Sequence, residues 1–133
     1  TDYILSSRKA NGTLPEKPVL VKTIGTTKLI NKLCEKYGCE LKNVLTGFKY
    51  IGEVILNLEK KGEEDRYVFG FEESYGYLAG TYVRDKDAVV ASMLVCEMAS
   101  HLHRLLTHFT RNTATTSTIH LHLNLTVRQV WRR

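Results

Sequence analysis

Three short strand-like runs, each followed by a helical stripe, limit most strongly what this chain can fold into. Pro18 to Ile24 (PVLVKTI) is a β-branched run and reads as a strand, and Glu40 to Leu45 and Arg66 to Phe71 read as a second and third. Between the first two, Leu29, Ile30, Leu33 and Tyr37 recur at helical spacing, with Thr26 or Thr27 as N-cap and Gly38 just past the end. Between the second and third, Phe48, Ile51, Ile55 and Leu58 mark another helix, closed by Gly62. Residues 2–9 read as the end of a helix whose start is missing. A last helix begins near Asp85 or Asp87, with Val90, Leu94, Met98, Leu102 and Leu105 on one stripe. Further on, Ile119 to Leu125 alternates as a strand does. This order predicts an α/β layer architecture, a sheet covered by helices. Ligands of such sheets are sought in the loops at the carboxyl ends of the strands.

Composition changes abruptly near Ala99. The formal charge of +5 comes wholly from the five arginines of residues 100–133, since lysines plus arginines balance the acids in residues 1–99. Every lysine precedes that point and all five histidines follow it. Residues 100–133 contain no acid, glycine or proline. The expected organisation is therefore one domain over 1–99 and an atypical basic tail over 100–133. A shifted reading frame or a cloning scar accounts best for so sharp a break; a genuine basic tail is the other reading. No run approaches the roughly 18 apolar residues of a membrane span, and the first residues lack the layout of a signal peptide. The expectation is a cytoplasmic protein with no membrane partner. Cys34, Cys39 and Cys96 form neither a disulfide framework nor a metal-ligand pattern and read as structural thiols.

Three strand-end loops carry the chemistry. Lys22 to Lys28 offers a lysine and hydroxyls ahead of a helix N-terminus, where an anion is favoured, though taken alone the loop reads better as a plain capped turn. In Leu45-Thr46-Gly47-Phe48-Lys49, Gly47 lets the backbone come close to a ligand, but from this loop alone an ordinary tight connection is the better reading. The third loop, Gly70-Phe71-Glu72-Glu73-Ser74-Tyr75-Gly76, places two acids and a serine after an apolar strand. A carboxylate can accept from two sugar hydroxyls and a serine can add a third contact. If the strand continues through them, adjacent glutamates project to opposite faces and only one points at a ligand. From the residues alone, a solvated acidic turn remains open.

The run GFEESYG closely resembles the sugar-binding loop of the α-D-phosphohexomutase superfamily, whose general form is Gly-Glu-x-Ser-Gly. The continuation YLAGTYVRDKDAVVASMLVCEMA resembles bacterial phosphoglucomutases in particular, and VLVKTI with TTKL and NVLTGFKYIGE resemble the other loops of the same domain in order. The resemblance covers roughly residues 2–99 and implies the third of four domains, with a small mixed sheet covered by helices. It implies a parent enzyme that moves a phosphoryl group between the 1- and 6-positions of a hexose through a phosphoserine and a bisphosphate intermediate. By that resemblance Glu72 and Ser74 contact the sugar hydroxyls, Thr46, Gly47 and Lys49 touch its other side, and Lys22 stabilises charge or assists proton transfer, with Glu73 behind them. Magnesium would be held by another domain, and glucose 1,6-bisphosphate would serve as intermediate and activator. The implied partners are a hexose phosphate and the remaining domains. Gly25 departs from the pattern, standing where a bulkier apolar residue is expected, and Gly76 replaces the histidine of many phosphomannomutases. The phosphoserine, magnesium and phosphate loops of the other domains are absent from the sequence, so the chain alone is expected to be inert. The alternatives are a basic-tailed nucleic-acid-binding module, which lacks an aromatic stacking surface, and an autonomous sugar-phosphate-binding domain.

Overall fold

A computed structural model describes residues 1–112, with side chains through residue 109. These residues fall into two units, Thr1–Leu94 and a second beginning at Val95. The first contains α1 (Asp2–Ala10), β1 (Val19–Thr23), α2 (Leu29–Tyr37), β2 (Glu40–Val44), α3 (Phe48–Glu59), β3 (Tyr67–Phe71) and β4 (Tyr77–Leu78). It also holds the start of α4 (Ala88–Asn112), whose remainder is the described part of the second unit. The strand read over Ile119 to Leu125 lies outside the described residues.

The sheet is mixed, in the order β2-β1-β3-β4, with β1 parallel to both neighbours and β4 antiparallel to β3. All five residues of the central strand β1 are buried. Covered on both faces, it begins as the continuous apolar run Val19-Leu20-Val21 rather than an alternation, and ends in the buried polar residues Lys22 and Thr23. Val19 and Val21 face α3, packing with Phe48, Ile51, Ile55, Leu58, Tyr67 and Leu78. Leu20 faces the opposite side with Leu5 of α1, Ile30 and Cys34 of α2, and Val68, Phe69 and Phe71 of β3. A register shift beside Val19 and Leu20 explains why Val68 and Phe69, though consecutive, join the same layer.

One residue of β3 has no room for a side chain. A Cβ on Gly70 would stand 2.7 Å from Ile51 Cγ2 and collide with the Tyr67 hydroxyl, which donates to the Leu78 carbonyl at 3.0 Å. Burial pushes the Tyr67 phenol well above its ordinary pKa.

The helices follow the sequence pattern with two corrections. In α2 the buried residues are Ile30 and Cys34, while Leu29 is 60% exposed and lies off the stripe. Lys28 takes the N-cap position, and the Thr27 hydroxyl accepts from the Leu29 amide at 3.2 Å instead of capping deeper in the helix. Gly38 ends the helix in the left-handed conformation as expected. Asp87 starts α4, its Oδ1 accepting from the amides of Val89 (2.9 Å) and Val90 (3.0 Å). The α4 segment Ala88–Phe109 is long and apolar enough, by length and composition alone, to cross a membrane. The sequence reading found no such run, because Glu97, His101, His103 and Arg104 interrupt it into shorter apolar pieces. Cys34 and Cys39 sit against the α2 side of the sheet, and burial pushes the Cys39 thiol up to about 11. Cys96 is exposed.

Candidate functional site

The carboxyl ends of the three parallel strands converge, each supplying one loop. The β1 loop is joined to the end of β2 by the Ile24 amide donating to the Val44 carbonyl at 2.9 Å. Within it, the Thr26 amide and hydroxyl both donate to the Thr23 carbonyl, at 3.2 and 2.8 Å. The β3 loop is a turn leading into β4, closed by the Glu72 amide donating to the Gly76 carbonyl at 2.9 Å. Tyr75 at its tip is 87% exposed and carries a φ of 62°, in the left-handed region that side chains seldom adopt.

Because Glu72 and Glu73 lie in this turn and not in a strand, their side chains do not diverge to opposite faces of the sheet. Glu72 is only 8% exposed, and its Oε1 accepts from the Gly47 amide at 2.8 Å. Gly47 is the N-cap of α3 with a φ of 125°, which explains a glycine there. The bond therefore also places a carboxylate at a helix N-terminus, where negative charge is favoured. Glu73 reaches the other two loops. Its Oε2 accepts from the Thr23 hydroxyl, and its Oε1 from the Thr46 hydroxyl at 3.1 Å. The Thr23 bond, more than any other interaction, holds the Glu73 carboxyl below its ordinary pKa.

Glu72, Thr46 and Gly47 are thus brought together, with Ser74 exposed beside them in the same turn. Lys22, paired with Phe71 across the sheet, takes no part in these bonds. It is 4% exposed, and its ammonium donates to the Thr23 carbonyl at a long 3.4 Å. Lys49 is exposed and borders a cavity of about 570 Å³ together with Gly47, Phe48, Val83, Arg84, Asp85 and Lys86. The Lys86 ammonium is 3.0 Å from Asp85 Oδ1 and 5.9 Å from the centre of the Phe48 ring. Arg84 pairs with Glu59, and Gly52 lets its backbone carbonyl approach α3, since a Cβ there would stand 3.0 Å from that oxygen.

Sequence reasoning missed Arg84 and Lys86 at this cavity; it placed Glu73 behind the site without showing that Glu73 bridges the loops. The Arg-Asp-Lys-Asp charge run was the available signal for the former. Gly25, out of pattern in the sequence, also finds an explanation: a Cβ there would stand 3.1 Å from Glu73 Cδ, so its absence makes room for the bridge.

The family profile for phosphoglucomutase/phosphomannomutase, alpha/beta/alpha domain III, matches residues 2–116. The chain belongs to this family. Its domain III segment is 43% identical over 98 residues to the phosphomannomutase of Mycoplasmoides pirum, covering 74% of this chain and 17% of that protein. It is 41% identical over 86 residues to the human glucose 1,6-bisphosphate synthase, covering 65% of this chain and 14% of that one. Against the phosphoglucomutase of Staphylococcus epidermidis it is 39% identical over 89 residues, or 67% and 16% of the two chains. The match therefore spans only about a sixth of the length of these relatives. A crystal structure from Thermus thermophilus, assigned as a phosphomannomutase, superposes with a TM-score of 0.53 at 25% identity, covering 70% of this chain and 20% of that one. The mixed sheet between helices is the domain III fold of this family.

The carboxylates of this segment do not make a magnesium site. Among the described residues no three His, Cys, Asp or Glu side chains converge as metal ligands. Glu72 and Glu73 instead accept from Gly47, Thr23 and Thr46. No step is assigned to a metal on this segment.

Proposed function

We propose that this domain III segment grips the hydroxyls of a hexose phosphate in a parent phosphoglucomutase or phosphomannomutase. That parent interconverts the 1- and 6-phosphates through a phosphoserine and a bisphosphate intermediate, glucose 1,6-bisphosphate where the sugar is glucose. The observation that carries the reading is the convergence of the β2 loop and the β3–β4 turn, joined by the Gly47–Glu72 bond. An intermediate that must be held in two opposite orientations needs nearly interchangeable contacts to its 3- and 4-hydroxyls. Glu72 suits this need, because each carboxylate oxygen accepts more than one hydrogen bond and only Oε1 is used by Gly47. Ser74 adds a hydroxyl that both donates and accepts.

Lys49, Arg84 and Lys86 around the neighbouring cavity supply positive charge for a phosphoryl group at one end of the sugar. Lys22, buried at the end of β1, supplies charge stabilisation or a proton for the transfer itself. The nucleophile and the magnesium ligands are assigned to other domains, the setting is the cytoplasm, and the chain by itself is inert. Positioning and charge neutralisation, the two things phosphoryl transfer chiefly demands of a protein, are divided between this segment and its partner domains.

Titration of the isotopically labelled chain with glucose 1,6-bisphosphate tests the reading. Amide shifts at Thr46, Gly47, Glu72 and Ser74 are expected. Saturating ligand without shifts at these residues overturns it, and turnover of glucose 1-phosphate by the chain alone overturns the assignment of catalysis to other domains.

A further inference from the structure

We infer that Glu73 is a positioning residue that ties all three strand-end loops into one preformed sugar grip. The inference rests on the sugar-binding reading above but concerns a residue outside the proposed contacts. Glu73 belongs to the β3–β4 turn, yet one carboxylate oxygen accepts from Thr23 at the end of β1 and the other from Thr46 after β2. The neighbouring Glu72 makes a second link to the β2 loop through the Gly47 amide. Among the described residues, Glu73 alone therefore connects the turn to the β1 loop by a side-chain hydrogen bond. Without it, the turn would be fixed to the β2 loop only.

Gly25 supplies the independent observation. A Cβ at this position would stand 3.1 Å from Glu73 Cδ and 3.3 Å from Oε2, tighter than nine in ten real Cβ contacts. The β1 loop is therefore shaped around the Glu73 carboxylate. A bridge of this kind spares the ligand the cost of ordering the loops separately, which raises affinity without any added contact.

The test uses the whole chain and three variants. In Glu73→Ala both threonine bonds vanish. Glu73→Gln keeps one acceptor oxygen and offers an N–H to the other threonine hydroxyl. Gly25→Ala leaves Glu73 in place and pushes on its carboxylate. Thermal midpoints are expected to stay close to that of the unaltered chain, since Glu73 is exposed at a turn. Affinity for glucose 1,6-bisphosphate, by calorimetry, should fall about tenfold in Glu73→Ala, about as much in Gly25→Ala, and clearly less in Glu73→Gln. Amide exchange of Thr23–Thr27 and Thr46–Gly47, measured without ligand, should accelerate in the same order. If the unaltered chain binds and all three variants bind equally well with unchanged exchange, the positioning role is overturned. If affinity falls only in step with the thermal midpoint, Glu73 is a stability residue and the proposal also fails. If the unaltered chain binds no hexose phosphate, the sugar-binding reading falls, and the positioning role with it.

Discussion

At the scale of single residues, the site is governed by where carboxylate oxygens find donors. Glu73 is held below its ordinary pKa of 4.5 by hydroxyl and amide donors, the Thr23 hydroxyl first among them. A carboxyl with a depressed folded-state pKa stabilises the fold above its unfolded value and loses that contribution as pH falls through the depressed value. Lowering pH through and below the ordinary carboxylate range should therefore weaken the Thr23 and Thr46 bonds, with amide shifts at both residues following one titration. A titration there at or above the ordinary carboxylate range would contradict the bridge. Gly70 offers a sharper contrast. Gly70→Ala would force a methyl against Ile51 and the Tyr67 hydroxyl, and overpacking of that kind costs about 1–3 kcal/mol. Chemical denaturation should show the loss, whereas Gly38→Ala, with nothing within 4 Å, should show only the smaller strain of a left-handed alanine.

Among the elements, α3 was the most legible in the sequence. Phe48, Ile51, Ile55 and Leu58 were read as one face, and all four are buried against β1 and β3. Ile55→Ala should therefore cost about 2–5 kcal/mol, measurable as a lower denaturation midpoint, with no change in which loops form the site. The helix α2 was legible only in part, because helical spacing alone gave Leu29 and Ile30 equal standing. The packing chose Ile30 and Cys34 and left Leu29 in solvent. β4 was not legible at all. Two residues are too few for an alternation, and they form a strand only because Gly70 and Phe71 present hydrogen-bonding partners. The same gap hid the geometry of the glutamates. Extending β3 through Glu72 and Glu73 separates them to opposite faces, whereas the turn into β4 lets both reach the neighbouring loops. Residue identities at the site could be read from the sequence, but the bridge could not, because it depends on how the turn is aimed.

For the molecule as a whole, the contrast lies between a well-covered sheet and a helix that is not. Val89 and Met93 are 70% and 66% exposed in the first unit, and in the second Val95, Leu102, Leu105 and Phe109 are each at least half exposed. Apolar surface on that scale favours association. Sedimentation velocity over a range of concentrations should show a reversible increase in mean mass, and a monomer at every concentration would contradict the expectation. The β1–β2 and β1–β3 pairs are parallel, and the β1–β3 partner lies some way along the chain from Val19–Thr23. Pairings of this kind form slowly, because a long loop must close before any contact repays it.

That topology has a consequence on the ribosome. The central strand is synthesised before either of its neighbours, so Val19, Leu20 and Val21 leave the exit tunnel with both edges unpaired. The second edge stays open until Phe71 has emerged, and during that interval an apolar strand with an open edge is a natural substrate for chaperones and a seed for misassembly. The turn bearing Glu72 and Glu73 follows Phe71 immediately, so the residues that join the loops arrive just as β1 can first be paired on both edges.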